Sequence, residues 1–105
     1  MQIARIALDV PLYRLFDYRV PSADQLSPAD IGRRVRVPFG QRSRVGVIVE
    51  LPAASDFSPE QLRDIDEILR DMLPLPPDWF RHCEFCANYY QAPLGEVMLS
   101  TLPAG

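Results

Sequence analysis

Hydrophobic and polar positions alternate along the first half of the chain. From Ala4 to Val10 the even positions are Ala4, Ile6, Leu8 and Val10, with Arg5 and Asp9 on the other side. That period of two predicts a strand with one buried face, ended by Pro11. Leu15 to Val20 alternates again, with Phe16, Tyr18 and Val20 on one face and Leu15, Asp17 and Arg19 on the other. Pro21 to Asp30, rich in Ser, Asp and Pro, predicts a loop. A third strand is expected over Arg34–Phe39, with Val35, Val37 and Phe39 inward and Arg34 and Arg36 outward. After Gly40 and a short loop at Gln41–Arg44, a fourth strand carries Val45, Val47, Val49 and Leu51, so these two strands form a hairpin. Four short strands separated by turn signals predict a small curled or barrel-like sheet.

Beyond Leu51 the pattern changes. Pro52 to Phe57 is a loop. Ser58-Pro59-Glu60-Gln61 has the form of a capping box, and Leu62, Ile65, Leu69 and Met72 follow helical spacing. Residues 62–69 can equally be extended, with Arg63, Ile65 and Leu69 on one pleat face, so the spacing leaves helix and strand both open. After Pro74, Pro76 and Pro77, Asp78 is a candidate cap for a helix from Trp79 to Tyr90, whose apolar stripe is Trp79, Cys83, Cys86, Ala87 and Tyr90. Pro93 ends it, and a further short helix is expected over Leu94–Leu102. The fold class is therefore α+β and β-rich. It is a single domain over 1–105, divided into a β-rich part (1–51), a connecting stretch (52–75) and a helical part (76–103). The Pro103-Ala104-Gly105 end has the composition of a linker, as in a fragment of a longer protein.

Charge sharpens this picture. The net charge of -3 hides +4 over residues 1–49 and -7 over residues 50–105. The chain has no lysine, so each of its 11 basic side chains is an arginine. Guanidinium groups make forked hydrogen bonds and stack on rings. Arg33, Arg34, Arg36, Arg42 and Arg44 crowd into the hairpin, either as a solvated strand face or as an anion-facing patch. Without lysine there is no phosphate-binding G-x-x-x-x-G-K-[ST] loop, which excludes ATP hydrolysis of that type here. His82-Cys83-x-x-Cys86 supplies one pair of thiols where a structural zinc site takes four ligands. The two cysteines are expected to be buried and inert, and no metal site is expected. Asp64, Asp66 and Glu67 form a solvated run rather than a catalytic dyad. The chain has no apolar run of membrane-spanning length, and with two cysteines a reducing cytoplasm is the expected setting. What remains is Phe16-Asp17-Tyr18 beside the arginine hairpin and Gly40. The two rings are either core residues or stacking platforms for bases.

Val10-Pro11-Leu12, Phe16-Asp17-Tyr18, the block Gly32-Arg33-Arg34-Val35-Arg36-Val37-Pro38-Phe39-Gly40 and Val45-Gly46-Val47-Ile48-Val49 follow one another along the chain. With Tyr89-Tyr90, Pro93-Leu94-Gly95-Glu96-Val97 and Leu102-Pro103 they resemble the N-terminal domain of the primosomal protein N′ (PriA) family of bacterial replication-restart helicases. The resemblance implies an OB-like, β-rich module that binds the 3′-hydroxyl end of a nascent strand at stalled or restarted forks and helps to load the helicase. It implies a pocket of Phe16, Asp17, Gly40 and Arg63, the last where the family usually has lysine, and it tilts residues 62–69 toward a strand. Tyr18, Arg34 and Arg36 are the expected auxiliary phosphate contacts. No catalytic residue and no cofactor is expected in this chain. The full-length family resembles ATP-dependent 3′–5′ DNA helicases whose ATP and zinc sites lie elsewhere. The implied partners are DNA, the remainder of the helicase chain, single-strand-binding protein and other primosome proteins, with no membrane. A reading from another class is a docking module within the primosome that recognises no DNA end, its acidic second half facing a basic neighbour.

Overall fold

The alternating segments form a five-stranded sheet in the computed structural model, which describes residues 1–102. The strands are β1 (Gln2–Leu8), β2 (Phe16–Val20), β3 (Arg34–Phe39), β4 (Arg42–Glu50) and β5 (Glu67–Ile68). They run in the order β2-β1-β4-β3-β5, and every neighbouring pair is antiparallel. Helices α1 (Pro77–Tyr90) and α2 (Leu94–Ser100) follow, and α2 packs on β1 and β4. The result is a small OB-like α+β domain with a curled sheet. Pro103, the end of the expected helical part, and the linker-like Pro-Ala-Gly end lie outside the described residues.

Side-chain alternation gives β1 two separate jobs. Ala4, Ile6 and Leu8 enter the main core with Tyr18, Val20, Val35, Val37, Ile48 and Ile65. Ala7, on the opposite face, joins Cys83 and Met98 in a second core between sheet and helices, with Leu15, Trp79, Phe80 and Val97 around it. In the β1–β4 ladder Arg5 pairs with Glu50 but Ile6 with Ile48, so Val49 is the extra residue of a bulge. Such a bulge bends the strand and strengthens the local twist, which helps the sheet to curl.

Several elements depart from the sequence reading. β1 ends at Leu8, two residues before Val10. The β3–β4 loop is only Gly40-Gln41, because Phe39 pairs with Arg42, so Arg42, Ser43 and Arg44 are strand residues. Gly40 has φ +63, the left-handed conformation that a two-residue II′ hairpin turn needs at its first central position. The helical alternative for 62–69 is ruled out. The capping residues do bond, Ser58 N–H donating to Gln61 Oε1 at 2.9 Å, but they close a single 3-10 turn over Pro59–Gln61. The chain then runs extended, because its backbone groups bond to strands on either side. α1 begins at Pro77 with Pro76 as its cap residue, so Asp78 lies inside the first turn. Tyr90 is exposed and leaves the apolar stripe to Phe80, while α2 stops at Ser100.

Helix α2 meets the sheet at its second residue. A Cβ on Gly95 would lie 1.8 Å from the Leu8 carbonyl oxygen, a backbone atom that cannot swing aside. Gly95→Ala is expected to force α2 off β1 and to cost about 1–3 kcal/mol, a fall in melting temperature of roughly 5–20 °C. Thermal denaturation followed by circular dichroism checks this, and an unchanged midpoint contradicts the contact.

Candidate functional site

Between β2 and the segment that pairs with its outer edge lies a shallow pocket of about 180 Å³, lined by Arg14, Phe16, Asp17, Tyr18, Phe57, Gln61, Leu62 and Arg63. The end of the β1–β2 loop, β2, the loop after β4, the 3-10 turn and the extended segment that follows it meet there. Of the residues expected from sequence, Phe16, Asp17, Tyr18 and Arg63 share this pocket. Gly40 joins it through its carbonyl, which accepts a hydrogen bond from Arg63 Nη1 at 2.9 Å.

Asp17 is the most tightly held group of the site. Its side chain is 7% exposed, and Arg5, directly opposite on β1, donates from Nε to Oδ1 at 2.9 Å. A weaker bond runs from Arg5 Nη2 to Oδ2, and Ser55 Oγ donates to Oδ2 at 2.6 Å. Burial alone would push the Asp17 pKa up. The bonds from Arg5 and Ser55, with the charges of Arg5 and Arg14, outweigh it and hold the group below the usual carboxylate range. Arg5 also donates to Glu50 at 3.2 Å, a partner brought beside it by the Val49 bulge. A carboxylate here is thus kept ionised in a mostly buried place, where it can only accept hydrogen bonds.

Aromatic rings make up the rest of the wall. Phe16 packs edge-to-face on Phe39, centroids 5.1 Å apart. The Arg14 guanidinium lies 4.9 Å from the Phe16 centroid and 5.9 Å from that of Phe57, between the two rings. Phe16 is both a partly buried core residue and a pocket residue, so the two readings of this ring were not exclusive. Tyr18 is committed to the core: it is buried and its hydroxyl donates to the Pro38 carbonyl at 2.7 Å. Burial pushes its pKa up.

The other two expected phosphate contacts lie elsewhere. Arg34, expected outward, is buried, with Nη1 3.3 Å from Met72 Sδ. The segment that covers β3 also covers this residue, which alternation within β3 alone does not reveal. Arg36 does point outward, but it faces Glu67 at 3.5 Å. Sequence reasoning missed Arg5, Arg14, Ser55 and Phe57. Arg5 could have been found by pairing the first two strands, which sets it opposite Asp17, whereas the other three come from loops with no periodic signal. Among the described residues no group of His, Cys, Asp or Glu is arranged to hold a metal, and no helix is long and apolar enough to cross a membrane. Cys83 is buried and Cys86 half-buried.

Comparison with known proteins shows the family of the chain. Residues 5–103 match the family profile described as the 3′DNA-binding domain of PriA. The chain is 45% identical to the replication restart protein PriA of Haemophilus influenzae over 98% of its length, which is 14% of that relative. It is 34% identical to the Bacillus subtilis protein of the same name over 71% of the chain, and 32% identical to that of Treponema pallidum over 94%. The chain thus spans only 9–16% of these relatives.

Asp17 and Asp30 both have lowered pKa values, Asp30 through the Ser27 N–H and Arg33 against the opposing effect of burial. A carboxylate whose folded pKa lies below its unfolded value stabilises the fold above the unfolded pKa, and that stabilisation is lost as pH falls through the folded one. Stability is therefore expected to be flat near neutrality and to fall below about pH 4. Ser55→Ala is expected to raise the Asp17 titration midpoint, read from its carboxyl carbon by NMR. An unmoved midpoint contradicts the Ser55 contribution.

Proposed function

The chain belongs to the PriA 3′DNA-binding domain family, and from that membership we propose that its pocket receives the 3′-hydroxyl end of a DNA strand. DNA binding in replication restart comes with the family; recognition of the end is the finer reading. One observation carries it: an ionised, nearly buried Asp17 sits in the same pocket as the Phe16–Arg14–Phe57 stack and Arg63. A carboxylate offers about four lone-pair positions, and Arg5 and Ser55 take three of them. The remaining one accepts the bond that a terminal hydroxyl can donate. A 3′-phosphate in that place sets like charge against like charge. Rings and a guanidinium plane stack on any base, so end recognition of this kind is indifferent to sequence. Arg63 stands ready for the terminal phosphodiester.

The remainder of the reading follows the family. In the longer protein the domain presents the nascent strand end at a fork to an ATP-driven helicase, in the cytoplasm. ATP and zinc are held outside these residues. The rest of the chain, single-strand-binding protein and other primosome proteins are its neighbours. A docking role has one observation of its own. Phe85, Tyr89 and Tyr90 form a contiguous exposed aromatic patch on α1, remote in sequence from every pocket residue.

Titration of oligonucleotides identical except for a 3′-hydroxyl or 3′-phosphate separates these roles. The hydroxyl end is expected to bind about 10- to 150-fold more tightly, the worth of a hydrogen bond to a charged group. Asp17→Asn is expected to narrow that ratio, and equal affinity of the unaltered protein for both ends overturns end recognition. Phe16→Ala is expected to cost about 1–3 kcal/mol of binding through lost stacking. Because Phe16 also packs on Phe39, its melting temperature is measured alongside. Unchanged binding by a folded Phe16→Ala protein contradicts stacking.

A further inference from the structure

The ion pairs sort the arginines into two sets. Among the described residues Arg5, Arg19, Arg33, Arg36, Arg70 and Arg81 each have a carboxylate within 4.0 Å. Arg34 is buried on Met72. Four remain: Arg14, Arg42, Arg44 and Arg63, all exposed and with no described carboxylate within 4.0 Å. They are scattered through the sequence but adjacent in the fold. Arg14 lies on Phe16, Phe16 abuts Phe39, Arg44 lies 5.8 Å from the Phe39 centroid, and Arg63 holds the Gly40 carbonyl.

Strand pairing explains why. Residues directly opposite in an antiparallel ladder project to the same side. Val37 pairs with Arg44 and Phe39 with Arg42, so both arginines stand on the face of the hairpin that carries Val37 into the main core. The hairpin outruns that core. From the Val37–Arg44 pair to the turn, its inner face therefore presents Arg44, Phe39 and Arg42, and Phe39 abuts Phe16 of the pocket. Asp9 shares a hollow with Ser43, Arg44, Val45 and Leu99 but forms no ion pair with Arg44. The two arginines are the only charges on β4 apart from Glu50, which bonds to Arg5.

From this placement we infer that Arg42 and Arg44 form a phosphate track that holds the nucleotides preceding the strand end. This rests on the pocket receiving that end. The track contacts the backbone and reads no bases, since guanidinium groups at phosphates position a strand without specifying its sequence. The pocket alone takes a dinucleotide, whereas a longer strand also engages the hairpin.

The test compares a dinucleotide with an octanucleotide, both with free 3′-hydroxyls, over a range of salt concentrations. Unaltered protein is expected to bind the octanucleotide on the order of tenfold more tightly at about 0.1 M salt, as two further phosphate contacts imply. The double variant Arg42→Gln/Arg44→Gln is expected to lose that gain and to flatten the slope of log K against log salt by about 1.4, while binding the dinucleotide as before. Arg42→Lys/Arg44→Lys keeps both charges and is expected to keep the slope. A Gln variant with unaltered octanucleotide affinity and slope overturns the track, and so does a Lys variant that loses slope as the Gln variant does. Failure of the end-binding reading shows separately, as equal binding of 3′-hydroxyl and 3′-phosphate octanucleotides by the unaltered protein.

Discussion

A seven-residue strap, residues 63–69, holds the curled sheet shut. Arg19 on β2 donates its N–H to the Arg63 carbonyl at 2.9 Å and accepts from the Ile65 N–H at 3.0 Å. One residue later the bonding passes to the opposite edge: Asp66 N–H donates to the Arg36 carbonyl at 2.9 Å and Leu69 N–H to that of Arg34 at 3.0 Å. A single short segment thus satisfies the backbone of both outer strands, which otherwise present open edges. Ile65, between the two sets of bonds, inserts its side chain into the main core. A helix could not do this, because its backbone groups are spent on one another. The pocket is a by-product of closure. Arg63 lines the same pocket as Phe16, its own carbonyl tied to Arg19 of β2.

Electrostatics follow the same geometry. A net charge of -3 gives no hint of a cationic surface. Acids are instead distributed so that most arginines are neutralised where they stand: Arg5 by Asp17 and Glu50, Arg33 by Asp30, Arg36 by Glu67. Arg19 faces Asp64 at 2.8 Å, poorly aligned for a hydrogen bond but close in charge. The exposed pairs, Arg36–Glu67 and Arg19–Asp64, add little stability, yet every pair removes a positive charge from the field around the protein. What survives is the cluster at the hairpin and pocket. The location of the unpaired charges, more than their sum, distinguishes this surface.

The sequence disclosed most of what depends on period and order. The inward sets Ala4-Ile6-Leu8 and Val35-Val37 were legible from alternation, as was the gathering of Phe16, Asp17 and Arg63 from the family resemblance. What escaped was long-range. Residues 62–69 carry apolar side chains at spacings that suit both helix and strand; the resemblance tilts them toward a strand, and bonding partners more than 25 residues away hold them extended. Arg34 alternates outward within β3, yet the segment ending near Met72 covers it. Arg14, Ser55 and Phe57 come from loops, where no periodicity reports on proximity.

The bond from Arg63 to Gly40 joins the strap to the hairpin tip. Gly40 sits at the turn, so the latch fixes the one part of the hairpin that no neighbouring strand restrains. A guanidinium has five N–H donors in a rigid fork, of which the latch uses one. An ammonium in that position would offer three mobile donors and no fixed fork. With arginine, one N–H holds the hairpin tip while the rest of the fork stays unspent.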